Sequence, residues 1–298
     1  MKKIKLFLTI TLMFITLNNY AQAEPLRRFE KNGKWGFEDK NKEIVIQPVY
    51  DLVYGFYEDL AAVKKGDKWG FIDNTGNEVI PLIYDIVGSF SEGLAAVNKD
   101  GLWGFINKTG TMVIKPQYGF AADFHEGLAP VSVGEWMKSK KGYIDKKGKL
   151  VIPYKYDQAH DFHIGIACVQ LDGKYGGINT KGKIIIPFAY DGLFDFSPEG
   201  LARAHYGMDP RERKYGFIDI NAKIRIPFDY SNACDFSEGL AAVYKNGKWG
   251  FIDKTGKLII PHIYSSVSGQ GFQNGAAHVY LDKKPIYIDK QGKEIRVP

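Results

Sequence analysis

Cysteine is almost missing: Cys168 and Cys234 are the only two in 298 residues, too few to hold a fold together by disulfides. Beyond the first two dozen residues, no apolar run reaches the ~20 residues that a membrane-crossing helix needs. No window carries 3.6-residue apolar spacing over three turns, so amphipathic helices are not expected. Gly-x-Ser-x-Gly, His-Glu-x-x-His and Cys-x-x-Cys are absent, as is a phosphate-binding loop. The hydrolases, metalloproteases, thiol oxidoreductases and nucleotide enzymes that use those signatures lose their sequence support. Excess charge is also small. The formal +6 falls to +3 once Lys2, Lys3 and Lys5 are set aside, too little to point to nucleic acid.

Those three lysines open a stretch that reads as a secretory signal. A charged start precedes the apolar run Leu6 to Leu17, and Ala21-Gln22-Ala23 offers a small-x-small cleavage pattern. The expectation is a signal peptide over 1–23, a mature chain over 24–298 with no transmembrane segment, and a periplasmic or secreted location.

What the chain has in quantity is glycine, at 33, and aromatics, with 18 Tyr and 19 Phe. That usage suits short strands and tight turns. KWGFIDKTGKLIIP at 248–261 nearly repeats KWGFIDNTGNEVIP at 68–81. The glycine after the aromatic recurs at Gly36, Gly70, Gly104, Gly142, Gly176, Gly216 and Gly250, with Ile286 in the eighth place. A basal period of 34 fills nearly the whole mature chain with eight units, and regularity of this kind decides the architecture.

Each unit reads as three short strands. In the third they are Leu94–Val97, Leu102–Asn107 and Thr111–Lys115, the last stopped by Pro116. Asp73, Asp145, Asp253 and Asp289 each stand three residues before a glycine, an Asx turn closed by positive φ. The glycine of the Trp-Gly pair leaves one face of the strand bare for a neighbouring aromatic, and the tryptophan covers core on the other. Cys168 and Cys234 sit a whole repeat apart at different repeat positions, so two unpaired thiols are expected.

The K-W-G-F-I-D-x-x-G-x-x-V-I-P phrase at this spacing resembles the bacterial WG-repeat (KWG-repeat) family. The resemblance implies a tandem β-repeat and no catalytic residues to carry over. The fold expected is all-β, eight three-stranded antiparallel units in an open β-solenoid or superhelix. A closed eight-bladed, propeller-like ring is the alternative. Polar ends favour the open form: Arg27-Arg28 stands where inner units have Ala61-Ala62, and the last unit has lost both Trp and Gly.

Two insertions break the repeat at one structural position, the turn between first and second strands. One, 134–140, offers Trp136, Met137, Lys138 and Lys140; the other, 206–213, offers Tyr206, Met208, Arg211 and Arg213. Insertions at one place project from one face, and Trp, Tyr, Met and Arg are enriched at interfaces. These residues are the binding candidates. A second irregularity is His160-Asp161-Phe162-His163, aligned with Asp123-Phe124-His125. Its histidines, His125, His160 and His163, are the weak metal candidates. The expected function is a non-catalytic, cofactor-free protein-binding scaffold of the cell envelope. The alternative is a carbohydrate or peptidoglycan binder whose repeated rings would stack on sugars.

Overall fold

The computed structural model describes residues 26–134 and 138–296. The signal-peptide reading of 1–23 and the candidates Trp136 and Met137 lie outside them. Among the described residues there is no helix, and the strands form eight separate antiparallel sheets in chain order.

The first sheet has three strands, β1 (Arg27–Lys31), β2 (Lys34–Glu38) and β3 (Ile44–Tyr50); the next has four, β4 (Leu52–Tyr57), β5 (Leu60–Lys65), β6 (Lys68–Asp73) and β7 (Glu78–Tyr84). All the later sheets repeat the four-strand order. The three-stranded unit expected from sequence is thus incomplete. The stretch after each Tyr-Asp, read as a connection, pairs with the strand that follows it, as Val53 does with Val63. In three sheets this strand is only two residues long, which explains why its sequence signal is weak.

The proline also behaves differently from expectation. Pro116 does not end its strand, which runs Met112–Tyr118. That strand is the outer edge of its sheet, where a missing N–H leaves no ladder bond unmade. The register shifts there: Phe71 pairs with Ile80, but Trp69 pairs with Tyr84, so extra residues bulge out of β7. This bulge is what the glycine of Trp-Gly accommodates. A Cβ on Gly70 would lie 2.5 Å from the Ile80 carbonyl oxygen and 2.8 Å from the Leu82 nitrogen. The expected aromatic neighbour is met at Gly176 and Gly216, where Phe188 and Phe228 also crowd in.

Asx turns hold the second hairpin as expected. Asp73 Oδ1 accepts from the N–H groups of Thr75 and Asn77, both at 2.9 Å, and Gly76 follows with φ +89°. The Thr75 hydroxyl, which donates to the same oxygen at 2.7 Å, together with those bonds pulls the Asp73 carboxyl down to about 2. Ala222 replaces the glycine in the sixth unit and keeps the left-handed φ of 62°.

Because side chains alternate across a strand, every inner sheet buries two faces. One face of the second sheet carries Leu60, Ala62, Trp69, Phe71 and Ile80. These pack on Ala95, Val97 and Ile106 of the third. Its other face, Ala61, Val63 and Ile72, packs on Phe37 and Ile46 of the first. The same mating recurs along the chain, so the core is a series of layers between sheets.

At the ends the layers stop. The first sheet puts Arg27 and Glu38 where the second has Ala61 and Ile72, and Arg27 is exposed. Tyr287 of the last sheet stands where Phe71 is buried, and is 41% exposed. Among the described residues no core cluster joins the first sheet to the last, so the array is open.

Candidate functional site

Three sets of repeated contacts join the sheets, and they show where the chain departs from its own rule. The first is an aromatic pair across each joint. Phe71 meets Phe90 at 4.9 Å between ring centroids, and Phe105 meets Phe124 at 4.8 Å. Tyr143 takes the phenylalanine's place in the fourth sheet, with Phe162 at 5.0 Å. Its hydroxyl donates to the His160 carbonyl at 2.7 Å, so its polar end is satisfied inside the joint. The second is a carboxylate clasp: Glu58, Glu92, Glu126, Glu199 and Glu238 each accept from a glycine N–H about one repeat later. The third is a hydroxyl just after the aromatic. Ser91 donates to the Phe124 carbonyl and Ser237 to that of Phe272, each at 2.6 Å.

In the middle of the array that serine is replaced by histidine. His125 lies beside His163 of the next sheet, ring centroids 5.5 Å apart, with its Nε2 3.6 Å from Asp161 Oδ2. His160 Nδ1 stands 3.3 Å from Asp195 Oδ1, and His163 Nε2 is 3.9 Å from Asp195 Oδ2. One sheet further, Arg203 occupies an alanine position. It holds Asp235 at 2.9 Å, donates to the Ala233 carbonyl at 2.6 Å, and lies 3.7 Å over the Phe194 ring. The acids Asp123, Asp161, Asp195 and Asp235 each precede the joint phenylalanine, so together they make one polar row on or just after the first strands.

Burial raises Asp123 to about 6, and the charge of Asp161 adds to it. Gly88 gives this carboxylate its room: a methyl there would overlap Asp123 Oδ1. Asp161 is raised for the same main reason, burial. His160 is raised because Asp195 bonds to it.

The sequence brought His125, His160 and His163 to notice, and the structure does gather them. They line a row and do not converge on a point. Among the described residues no group of three or more His, Cys, Asp or Glu side chains is placed to hold a metal ion. Asp195 and Asp235 were missed by sequence reasoning, although a recurrent Asp-Phe dipeptide marks both.

The insertions are placed less evenly. Lys140 is a framework residue: its Nζ pairs with Asp157 at 2.5 Å, just as Lys34, Lys68 and Lys174 pair with Asp51, Asp85 and Asp191. Each of those aspartates also accepts from the hairpin turn that follows, as Asp157 Oδ2 does from Asp172 N–H at 2.8 Å. Lys138 lies in the turn before Lys140. In the second insertion Arg213 braces the loop, donating to the carbonyls of Gly207 and Met208 and to the Tyr215 hydroxyl. Arg211 pairs with Asp209 at 3.0 Å. Tyr206 packs against Phe228 and Tyr190, while Met208 stands 70% exposed. The repeated tryptophans belong to the layers: Trp69 is 6% exposed, and Trp35, Trp103 and Trp249 pack half-buried against the core. Cys168 is buried, Cys234 half-buried, and neither is in a disulfide.

Among solved structures, the fold is similar to one described as the crystal structure of the eukaryotic initiation factor. That match has 11% identity and a TM-score of 0.63, over 91% of this chain and 84% of that one. Looser matches are Hsv2p of Kluyveromyces lactis, 10% identical with TM-score 0.45 over 77% and 93% of the two chains, and a prolyl endopeptidase, 12% identical with TM-score 0.48 over 80% and 50%. These neighbours are β-propeller and β-repeat folds. No curated protein matches by sequence. A family model described as the WG-containing repeat matches seven consecutive segments, 35–69, 69–103, 103–135, 142–175, 175–204, 215–249 and 249–284. The chain belongs to the WG-containing repeat family.

Proposed function

We propose that this protein is a non-catalytic binding scaffold that holds another protein through the 206–213 loop. The observation that carries this reading is the contrast inside that loop. Two donations from Arg213 fix its backbone and a third reaches the Tyr215 hydroxyl, and at its tip Met208 stands 70% exposed. A braced loop loses little entropy on binding, and an exposed methionine is a soft, adaptable contact. The acids of the chain are mostly spent on turns and joints, and so support no paired acid and base. The reading extends to place: a charged and apolar leader over 1–23 fits export, with an envelope protein as the partner.

The test is site-specific photocrosslinking from position 208 in cells, with position 254 on another turn as control. The reading expects one discrete adduct from 208, lost when 207–212 is replaced by a two-residue Asn-Gly turn. The same adduct from both positions, or none from 208 in a folded and exported protein, overturns it.

A further inference from the structure

The joint between the fifth sheet (Gln158–Tyr190) and the sixth (Gly192–Tyr230) lacks the contacts that hold the others. Gly177 stands where Phe71 and Phe105 stand, so among the described residues Phe196 meets no ring across the joint. Ile164 stands in the place of Glu58, Glu92 and Glu126, and the Gly200 N–H turns back to the Ser197 carbonyl at 2.8 Å. Instead, two imidazoles of the fifth sheet share one carboxylate of the sixth, His160 at 3.3 Å and His163 at 3.9 Å from Asp195. Cys168 adds a thiol donation to the Phe194 carbonyl at 3.1 Å.

We propose that this joint is a pH-responsive hinge, closed by His160 on Asp195 when that imidazole carries charge, with His163 beside it, and loosened when the charge is lost. An imidazolium–carboxylate contact is a charge-assisted bond, and the neutral pair is weaker. The joint between the fourth and fifth sheets also carries a histidine, His125 beside Asp161, but a ring pair and a carboxylate clasp hold that joint as well.

The surroundings agree in sign. His160 is bonded to Asp195 and has Asp161 nearby, and both hold it above the ordinary imidazole value of 6.5. A raised histidine contributes stability that is complete below its unfolded value and disappears as pH rises through the folded one. Asp161 faces His125, His163, Asp195 and His160, with burial keeping it raised. The remaining groups near the row do not reverse this. The Tyr143 hydroxyl is a neutral donor, and burial pushes the Cys168 thiol well up. Arg203 is already committed to Asp235.

Cys168 is a reporter built into the joint, because it is 1% exposed and lies in the layer with Leu193, Phe196 and Ala204. In a Cys234→Ala background, the labelling rate of Cys168 by a maleimide is measured at pH 6 and pH 8. Each rate is divided by that of the urea-unfolded chain at the same pH, which removes the thiolate's own titration. The normalised rate is expected to be several-fold higher at pH 8 than at pH 6. In the His160→Gln/His163→Gln variant it is expected to be equal at both pH values and at least as high as the parent's at pH 8. A parent rate that does not change with pH overturns the hinge, and so does a folded double variant that keeps the parent's dependence. Asp195→Asn supplies a second variant with the same expectation.

Discussion

Phe71 and Phe90 meet edge to face, 4.9 Å between centroids, across the boundary between the second and third sheets. The same contact recurs as Phe37 with Phe56, Phe217 with Phe236 and Phe251 with Phe272. One residue on the second long strand of a sheet and one on, or just after, the first strand of the next thus form the unit of cohesion. Stability in such an array is a sum over neighbours, so a change at one joint is felt there first.

Truncating one of these rings tests that cohesion. Phe105 is fully buried against Phe124, and Phe105→Ala should cost about 3–5 kcal/mol. Urea unfolding followed by tryptophan fluorescence reads it, since Trp103 shares the layer. A loss below about 1 kcal/mol would mean that the joint repacks without the ring.

The repeated glycine is required by backbone, and this separates it from glycines that are merely tolerated. Gly70→Ala places a methyl 2.5 Å from the Ile80 carbonyl. Either the bulge moves or the strands part, so the melting temperature should fall by many degrees. Gly55→Ala meets only the Tyr57 ring at 3.8 Å and should be close to neutral. Equal effects of the two substitutions would contradict the bulge explanation.

Asp123 makes the array more stable in mild acid. Its unfolded carboxyl has the ordinary value of 3.8, and burial raises the folded one to about 6. A raised carboxylate loses stability as pH climbs from the lower value to the higher, and above about 6 the cost stays constant. Asp123→Asn imitates the protonated form. It should add on the order of 2 kcal/mol at pH 7.5 and little at pH 4. Denaturant melts of both proteins at the two pH values decide it, and a variant less stable than the parent at pH 7.5 would show the charge to be favourable.

Much of this was legible because the repeat prints it many times. The Trp-Gly ruler, the Asx turns and the layered core could be read from residue spacing, since each is a local pattern of turn residues or a two-residue alternation. The fourth strand was not legible, because Ile86–Val87 and Asn232–Ala233 are too short to show alternation. Proline within the outer strand misled for a related reason: only the sheet order reveals that the strand is an edge. The histidines were visible as an irregularity. Their pairing with Asp195 was not, because it depends on the stacking of one sheet upon the next.

The account rests on sheets that mate face to face and stop at two uncovered ends. Thiol labelling of Arg27→Cys and Tyr287→Cys, each in a Cys168→Ala/Cys234→Ala background, tests this directly. The open array predicts that both thiols react about as fast as in the unfolded chain. Strong protection of both in the native monomer would show that the first and last sheets meet, and would make the array a ring.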